Sequence, residues 1–242
     1  MNRRRVLEDV LARLETAYDY AGWHWQPDTP PDYVCISAVL VQHTNWSNVE
    51  RAIDRLREAG ALSLATIARL QDSRLAELVR PAGTPLTKAR RLLSLARLAA
   101  GHGGIDRLLA LPAGDLRARL LATHGIGPET AGAIALYAAG RPHFLIDAYT
   151  LRIFRRLGFG PERNGYEVWQ RWFEAALPPD VETYRRYHAL IVLHGKQTCR
   201  PNPRCGACPL LDLCPAGRQN EASEAWQERT QDVTATASAG DT

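Results

Sequence analysis

The chain has 242 residues, of which 45% are hydrophobic, so it has enough apolar material for a globular protein of one or two domains. Its formal net charge of +4 at pH 7 suits a polyanionic partner but is also ordinary for an enzyme, so charge alone excludes little. No apolar segment follows the opening Met-Asn-Arg-Arg-Arg, and no apolar run approaches about 18 residues, which argues against export and against a membrane span. A cytoplasmic protein is therefore expected.

Apolar residues recur at three- and four-residue spacings along nearly the whole chain, which predicts helices. Proline and glycine residues separate these segments, as helix starts and stops do, and no alternating strand pattern is convincing. The predicted fold class is therefore all-α. The predicted helices are Arg4–Tyr18, Asp32–Val41, Asn48–Ala59, Leu62–Leu70, Ser73–Val79, Lys88–Ala100, Ala113–Ala122, Pro128–Ala139, Ala148–Leu157, Tyr166–Ala176 and Val181–His194.

A tight glycine turn joins two predicted helices at residues 124–131, with Pro128 at the favoured first position of the second helix. Such a turn exposes backbone N–H groups at a helix start. Together with the positive end of the helix dipole, these donors bind an anion such as a DNA phosphate without reading its sequence. The same turn, taken alone, is consistent with an ordinary connection between helices.

Asp147 ends an apolar run and precedes the next predicted helix, which is the position of an N-cap. An isolated aspartate at such a position usually does no more than accept backbone N–H bonds. The functional interpretation adds a partly buried carboxylate that faces a reaction centre.

Four of the five cysteines, Cys199, Cys205, Cys208 and Cys214, lie in one short stretch with prolines interleaved. The spacing C-x5-C-x2-C-x5-C, in a chain without an export signal, indicates a metal site rather than disulfides. Zinc sites usually present two close pairs of ligands, whereas here only Cys205 and Cys208 are close, so the spacing favours a 4Fe-4S cluster and leaves zinc as the alternative. The fifth cysteine, Cys35, lies in an apolar run and is predicted to be a buried thiol.

The glycine turn, Asp147 and the cysteine loop together resemble the helix-hairpin-helix DNA glycosylases of the endonuclease III type, over roughly Trp23 to Cys214. The resemblance implies a two-domain helical fold, a DNA backbone held at Gly125, Gly127 and Thr130, and a 4Fe-4S cluster on the four cysteines. It also implies that Asp147 assists cleavage of the bond between base and sugar. This chain departs from the family in its first cysteine interval, which is one residue shorter than usual.

A DNA glycosylase extracts the damaged nucleotide from the duplex, so it needs a residue to fill the gap and a pocket for the flipped base. By the resemblance, Gln42 fills the vacated space, the neighbouring His43 faces DNA, and Trp46 stacks on the base. The segment around Trp25 resembles the aromatic-proline entry of the branch that removes alkylated purines, although Gln26 stands where that branch commonly has a second aromatic residue. Packing between helices explains each tryptophan equally well.

Only two of the 30 basic residues are lysines, Lys88 and Lys196. Bifunctional members of the family carry a lysine two residues after the second hairpin glycine, and its amine forms a Schiff base with the sugar. In this chain Glu129 stands there and cannot form an imine, so the resemblance implies a monofunctional enzyme. Glu129 itself is expected to bind a water in the catalytic site, to cap the helix or to be only solvated. Lys196 is expected to reach the base pocket or a phosphate, and the alternative is a solvated lysine beside the cysteine loop. Lys88 is expected to contact a phosphate.

The leading hypothesis is a monofunctional glycosylase that removes alkylated purines such as 3-methyladenine from double-stranded DNA. Asp147 would stabilise oxocarbenium-like charge on the sugar and orient the attacking water, while Tyr149 would join Trp25 and Trp46 around the base. A cationic purine is already a good leaving group, so one carboxylate suffices. The alternatives are an endonuclease III-like glycosylase and lyase on oxidised pyrimidines, with Lys196 as the amine, and a damaged-DNA binding protein without catalysis.

The resemblance also implies how the chain is divided. Residues 22–131 should form a helical barrel domain, and residues 1–21 with 132–215 should form the cluster domain. The tail 216–242 is rich in Ala, Thr, Ser and Gln with few apolar residues, so it is predicted to be disordered. A monomer is expected.

Overall fold

The computed structural model describes residues 2–221, and every regular element in that part of the chain is helical, which confirms the all-α prediction. The helix that follows the hairpin turn continues as one π-helical turn, Ile134–Ala138. None of the described helices is both long and apolar enough to cross a membrane. The helices are α1 (Arg3–Ala17), α2 (Pro31–Leu40), α3 (Trp46–Glu58), α4 (Leu64–Ile67), α5 (Asp72–Val79), α6 (Pro85–Gly101), α7 (Ile105–Leu109), α8 (Ala113–Leu121), α9 (Pro128–Ala133), α10 (Ala148–Arg156), α11 (Tyr166–Glu174) and α12 (Val181–Gln197).

The residues at the helix ends explain where the observed helix bounds differ from those that the periodicity predicts. Pro85 occupies the first turn of α6, so this helix begins three residues before its predicted start at Lys88. Ser63 caps α4 by accepting a bond from the N–H of Thr66 at 3.1 Å, and only one helical turn follows. Helix α7 was not predicted because its five residues are too few to show a helical period.

Two compact units make up the chain. The hairpin unit comprises residues 23–145 and 179–185, and the described part of the cysteine unit comprises residues 2–22, 146–178 and 186–221. The predicted division at 131/132 therefore differs from the observed one at 145/146. The reason is packing: α9 and its π-helical turn contact α2, and Ala131 and Ile134 belong to the buried core of the hairpin unit.

The end of the described chain also departs from expectation. Residues 215–221 are helical, so the prediction of disorder from residue 216 is wrong for this short stretch. The remainder of the predicted tail, residues 222–242, lies outside the described residues.

Helix α2 lies at the centre of the hairpin unit and is apolar on nearly every face. All residues from Val34 to Leu40 are buried, including Cys35, whose exposed fraction is 0%. Burial raises the pKa of the Cys35 thiol, which keeps it protonated. The prediction that Cys35 packs as a small hydrophobic residue is confirmed.

The cysteine unit has a core of its own, built from α1, α10, α11 and α12. The rings of Phe154 and Phe173 meet edge to face with centroids 4.8 Å apart. Tyr187 is fully buried beside them, and its hydroxyl donates to the backbone oxygen of Leu7 at 3.0 Å. This bond ties α1, at the start of the chain, to α12, which leads into the cysteine loop.

Lys88 is buried in the hairpin unit, with only 1% of its surface exposed. Its ammonium donates to the backbone oxygen of Leu40 at 2.7 Å and of Ala82 at 2.5 Å, so it joins the end of α2 to the turn before α6. The predicted phosphate contact of Lys88 is therefore wrong, because the charge points into the protein. Burial, with a smaller effect of the charge on Arg91, lowers the pKa of Lys88 to about 8.

The low pKa of Lys88 links stability to pH. In the unfolded chain the pKa of Lys88 is near 10.5. Between pH 8 and pH 10.5 the unfolded chain therefore binds more protons at Lys88 than the folded protein does. Folding becomes more favourable as the pH rises from 8 to 10.5. Replacing Lys88 by methionine removes this gain. We expect the free energy of unfolding of the wild type, minus that of Lys88→Met, to increase by about 1 to 3 kcal/mol across the interval. Urea titrations at the two ends measure the difference, and a constant difference would contradict a buried, titrating amine.

Candidate functional site

Asp147 lies at the start of α10 and caps it. Its Oδ1 accepts a bond from the N–H of Thr150 at 2.7 Å and a second from the hydroxyl of Thr150, also at 2.7 Å. The side chain of Asp147 is only 7% exposed. The predicted N-cap is therefore confirmed, while a catalytic role for Asp147 stays a prediction.

The second oxygen of Asp147 faces a histidine that sequence analysis did not single out. His188, on α12, places its Nε2 3.7 Å from Asp147 Oδ2, and its residue is 5% exposed. Burial raises the pKa of the Asp147 carboxyl, but His188 and the two bonds from Thr150 outweigh that effect and bring the pKa below its ordinary value. Asp147 is thus ionised at neutral pH inside the protein.

Tyr149 and Lys196 lie near this carboxylate within the cysteine unit. Burial raises the pKa of Tyr149, and the charge of Asp147 raises it further. Lys196 is exposed, yet nearby protein atoms lower the pKa of its amine, and the charge of Asp147 opposes that shift. The charge of Asp147 thus acts on both groups, while a contact of either with a base stays a prediction.

Helices α10 and α12 approach closely at Gly195. A Cβ added to Gly195 would lie 2.3 Å from Cδ1 of Tyr149, so only glycine allows this packing. The guanidinium of Arg152 lies 5.1 Å from the ring centroid of Tyr149 and donates to the backbone oxygens of Gly195 and Cys199, each at 2.8 Å. These contacts fix α10, which carries Asp147 at its start, against α12 and the first cysteine.

The glycine hairpin precedes α9 in the hairpin unit. Gly125 has φ +79°, a left-handed conformation that favours glycine, and Arg91 crosses it so closely that a Cβ there would lie 2.1 Å from Cγ of Arg91. Gly127 is extended and precedes Pro128 at the helix start, as predicted. The turn geometry is therefore that of a hairpin whose conformation depends on glycine.

Gln42 is bonded to this hairpin. Its Nε2 donates to the hydroxyl of Thr130 at 2.8 Å and to the backbone oxygen of Gly125 at 3.2 Å, while Arg91 donates to its Oε1. The side chain of Gln42 thus joins the end of α2 to the hairpin in the structure. Its predicted role in filling a vacated space in DNA stays a prediction.

The other predicted DNA-facing residues differ in exposure. His43 is exposed and has φ +54°, unusual for a residue that is not glycine. Thr130 is buried at 6% exposure, so its hydroxyl serves Gln42 rather than solvent. Glu129 lies in the first turn of α9 and is exposed. DNA contacts by these residues, and a catalytic role for Glu129, stay predictions.

Trp25 lies in the middle of an aromatic group in the hairpin unit. It is 5% exposed, and its indole N–H donates to the hydroxyl of Ser37 at 2.9 Å. The ring meets Trp46 edge-on with centroids 6.0 Å apart, and it lies 4.9 Å from the ring of Tyr137. The structure therefore brings the two predicted base-stacking residues, Trp25 and Trp46, together.

Trp46 has a partner that sequence analysis did not identify. The imidazole of His24 stacks on its ring with centroids 3.3 Å apart and planes 20° from parallel. Both residues are half-buried. One face of Trp46 is therefore covered by a flat ring in the structure.

Cys199, Cys205, Cys208 and Cys214 line one cavity of about 290 Å³ in the cysteine unit, so the predicted ligands are brought together. Three of the four are buried, and Cys208 is partly exposed. Among residues 2–221, no three His, Cys, Asp or Glu side chains converge on the position of a single metal ion.

Polar groups around this cavity point toward the sulfurs. Arg156 donates to Cys199 Sγ at 3.3 Å and to the backbone oxygens of Arg200 and Pro201 at 2.6 and 2.8 Å. The N–H of Gly217 donates to Cys214 Sγ at 3.2 Å. Donors of this kind stabilise negative charge on sulfur, as thiolate ligands require.

Three residues that contact predicted site residues were not identified from the sequence: His188, Arg91 and His24. His188 occupies an apolar helix without any spacing typical of ligands, and Arg91 is one of many arginines. His24 lies between two tryptophans, and this aromatic neighbourhood was the one signal in the sequence that could have identified it. The partners of all three lie far away in the sequence.

Comparison with known proteins identifies the family. Residues 36–179 match the model of the HhH-GPD superfamily of base excision DNA repair proteins. Because this match covers more than half of the chain, the protein belongs to the HhH-GPD superfamily.

Individual relatives agree with that membership. A Methanocaldococcus jannaschii protein, provisionally named a DNA repair glycosylase, is 41% identical over 216 residues, covering 88% of this chain and 97% of the relative. The crystal structure of H. pylori 3-methyladenine DNA glycosylase bound to 1,N6-ethenoadenine is 26% identical with a TM-score of 0.70, covering 81% of this chain and 98% of that one. A non-covalent endonuclease III–DNA complex has the same fold, with 22% identity and a TM-score of 0.77 over 92% of this chain and 100% of that one. The protein is thus a base excision DNA repair glycosylase.

Gly195 offers a test of the packing that fixes α10 against α12. In Gly195→Ala the new methyl group displaces the Tyr149 ring, so we expect the free energy of unfolding to fall by about 1 to 3 kcal/mol. Gly114→Ala is the matched control, because Gly114 is a helical glycine with nothing within 4 Å of an added Cβ, and it should be neutral or stabilising by up to about 1 kcal/mol. Urea denaturation measures both. Equal stabilities of the two variants would contradict the close approach.

Proposed function

We propose that this protein is a monofunctional DNA glycosylase that removes alkylated purines, such as 3-methyladenine, from double-stranded DNA. The observation that carries the proposal is the buried, ionised carboxylate of Asp147, held at a helix start in a member of a base excision repair family. The protein is further proposed to act as a monomer in the cytoplasm.

Asp147 supplies negative charge where the reaction needs it. Loss of the base leaves an oxocarbenium-like sugar, and a fixed carboxylate stabilises that positive charge without having to reorganise. Its low pKa keeps the carboxylate ionised, and it accepts a proton from the water that attacks the sugar. The products are the free base and an abasic site.

The monofunctional mode follows from Glu129. A carboxylate at the hairpin position cannot form the imine through which a lyase cleaves the strand. Lys196 favours the second candidate function, an endonuclease III-like lyase on oxidised pyrimidines, because its lowered pKa increases the neutral fraction of its amine and the charge of Asp147 reaches it. Lys196 is exposed, however, so solvent also stabilises the charged form of its amine.

The preference for alkylated purines is supported by the aromatic group of the hairpin unit. Trp25 and Trp46 meet edge-on, and electron-rich indole rings attract a flat cationic base. An alkylated purine that already carries positive charge leaves readily, so Asp147 needs no strong general acid beside it. The similarity to a 3-methyladenine DNA glycosylase agrees with this substrate class.

DNA binding is proposed for the hairpin and for the end of α2. Gly125 and Gly127 hold the turn that would present backbone N–H groups to a phosphate, and Thr130 maintains its connection to Gln42. His43, exposed beside Gln42, would contact the duplex, and Gln42 would fill the space that the flipped nucleotide leaves. Phosphate contacts of this kind are independent of sequence, as a repair enzyme requires.

The four cysteines fit a 4Fe-4S cluster. Their sulfurs line a cavity of about 290 Å³, and N–H groups of Arg156 and Gly217 point at two of them. Zinc requires four ligands at about 2.3 Å from one point, whereas a cluster needs a larger space. When bound, the cluster would cross-link the loop, and the residues of the chain alone would carry out base release.

Substitution of Asp147 by asparagine tests the catalytic proposal. Asparagine keeps the bond to the N–H of Thr150 and is an equally good N-cap, so Asp147→Asn should fold normally. We expect the wild type to release 3-methyladenine from alkylated duplex DNA without strand scission, and Asp147→Asn to be slower by about 10²-fold or more. Base release under single-turnover conditions is the measurement.

Asp180→Asn is the matched control, because Asp180 Oδ1 accepts the N–H of Thr183 at 2.7 Å in the same capping geometry and the variant should stay active. A thymine-glycol duplex and borohydride trapping on abasic DNA run in parallel. Activity on thymine glycol with a trapped adduct that Lys196→Gln abolishes would establish the lyase instead. Tight binding of damaged DNA without any base release would indicate a binding protein.

Metal analysis tests the cluster. We expect about four iron and four acid-labile sulfide per chain in protein purified without oxygen, and loss of both in Cys205→Ser. Cys35→Ala is the matched control and should retain them, because Cys35 lies in the core of the other unit. Stoichiometric zinc without sulfide would overturn the cluster assignment.

A further inference from the structure

We propose that His188 is a positioning residue for the reaction: it holds the oxygen of Asp147 that the helix cap leaves unbonded and keeps it oriented toward the sugar. The proposal rests on the proposed function, since it assumes that Asp147 is the catalytic carboxylate. It adds a residue that acts through Asp147 and does not touch DNA.

The two oxygens of Asp147 have different surroundings. Oδ1 accepts both bonds from Thr150 and is committed to the start of α10. Oδ2 faces His188 Nε2 at 3.7 Å. This separation is longer than a normal hydrogen bond, so the imidazole faces Oδ2 without immobilising it fully. A carboxylate held in this way keeps one oxygen available for chemistry.

Burial makes such a partner necessary. An ionised carboxylate inside a protein is strongly destabilised unless other groups compensate its charge. The bonds from Thr150 compensate one oxygen of Asp147, and His188, itself 5% exposed, is an ionisable side chain that faces the other. Without His188, the Asp147 side chain would rotate toward another donor or take up a proton, and either change removes the charge from its place.

Contacts between α10 and α12 fix the backbone on both sides of the His188–Asp147 pair. The ring of Tyr149, two residues after Asp147, packs on Gly195 of α12. Arg152 joins α10 to the end of α12 through the backbone oxygens of Gly195 and Cys199. Because His188 lies on α12 and Asp147 at the start of α10, these contacts define the distance between them.

Two substitutions separate positioning from ordinary packing. Glutamine places its side-chain NH₂ near the position of Nε2, the ring atom that faces Asp147, whereas asparagine places its NH₂ near the position of Nδ1. We expect kcat for base release by His188→Gln to stay within about threefold of the wild type, and kcat of His188→Asn to fall by about tenfold or more. KM should stay unchanged in both, because His188 does not touch DNA.

Controls distinguish the outcomes. Affinity for a duplex with a tetrahydrofuran abasic-site analogue should be the same for all variants, and His102→Asn, at a half-buried histidine of the hairpin unit, should keep wild-type kcat. Thermal unfolding checks that the two His188 variants are equally folded. Should both lose kcat in proportion to lost stability, or neither lose it, the positioning role is refuted. Failure of the proposed function looks different, because the wild type itself then releases no alkylated purine.

Discussion

The carboxylate of Asp147 is the constraint on which the cysteine unit depends. One oxygen caps the start of α10, and the other faces a buried histidine. A capping aspartate at the surface stabilises a helix by about 1 kcal/mol and has no further consequence. Here the same cap is buried, so the protein must compensate the charge, and His188, one of the residues that lowers the pKa of Asp147, lies on α12, which leads into the cysteine loop. Asp147 therefore both starts α10 and places a negative charge inside the protein.

Features encoded by short stretches of sequence were predictable. Helical periods, the glycine hairpin, the N-cap at Asp147 and the grouping of four cysteines each depend on residues close together in the chain, and the structure contains all of them. Lys88 shows the limit of this approach. Its sequence neighbours suggest an exposed amine after a loop. In the structure, however, the ammonium is buried and donates to the backbone oxygen of Leu40, 48 residues away. Only the tertiary fold determines which backbone oxygens lack a partner, and a lysine with a flexible stem can reach them.

The aromatic group shows the same limit at the candidate base pocket. The sequence places Trp25 and Trp46 as candidates, but it does not reveal that His24 lies flat against Trp46. A base that stacks on that face must first displace the imidazole, exchanging one stacked ring for another. Such an exchange favours a ligand with a larger or more strongly attracted ring than imidazole, and a cationic purine meets both conditions. Selectivity for charged bases would thus depend on His24, which the base must displace, as well as on the rings of Trp25 and Trp46.

The bonds of Gln42 to the hairpin bear on its proposed role in filling a gap in the duplex. In the structure its carboxamide is bonded to Arg91, to the hydroxyl of Thr130 and to the oxygen of Gly125, all at the hairpin. To enter a duplex the side chain must leave these partners, and each lost bond costs about 0.5 to 1.5 kcal/mol unless DNA replaces it. An undamaged duplex, whose bases stay stacked, offers no space in return. In the proposed mode of binding, the hairpin would therefore hold Gln42 back until a nucleotide has left the stack, so gap filling would depend on base flipping rather than cause it.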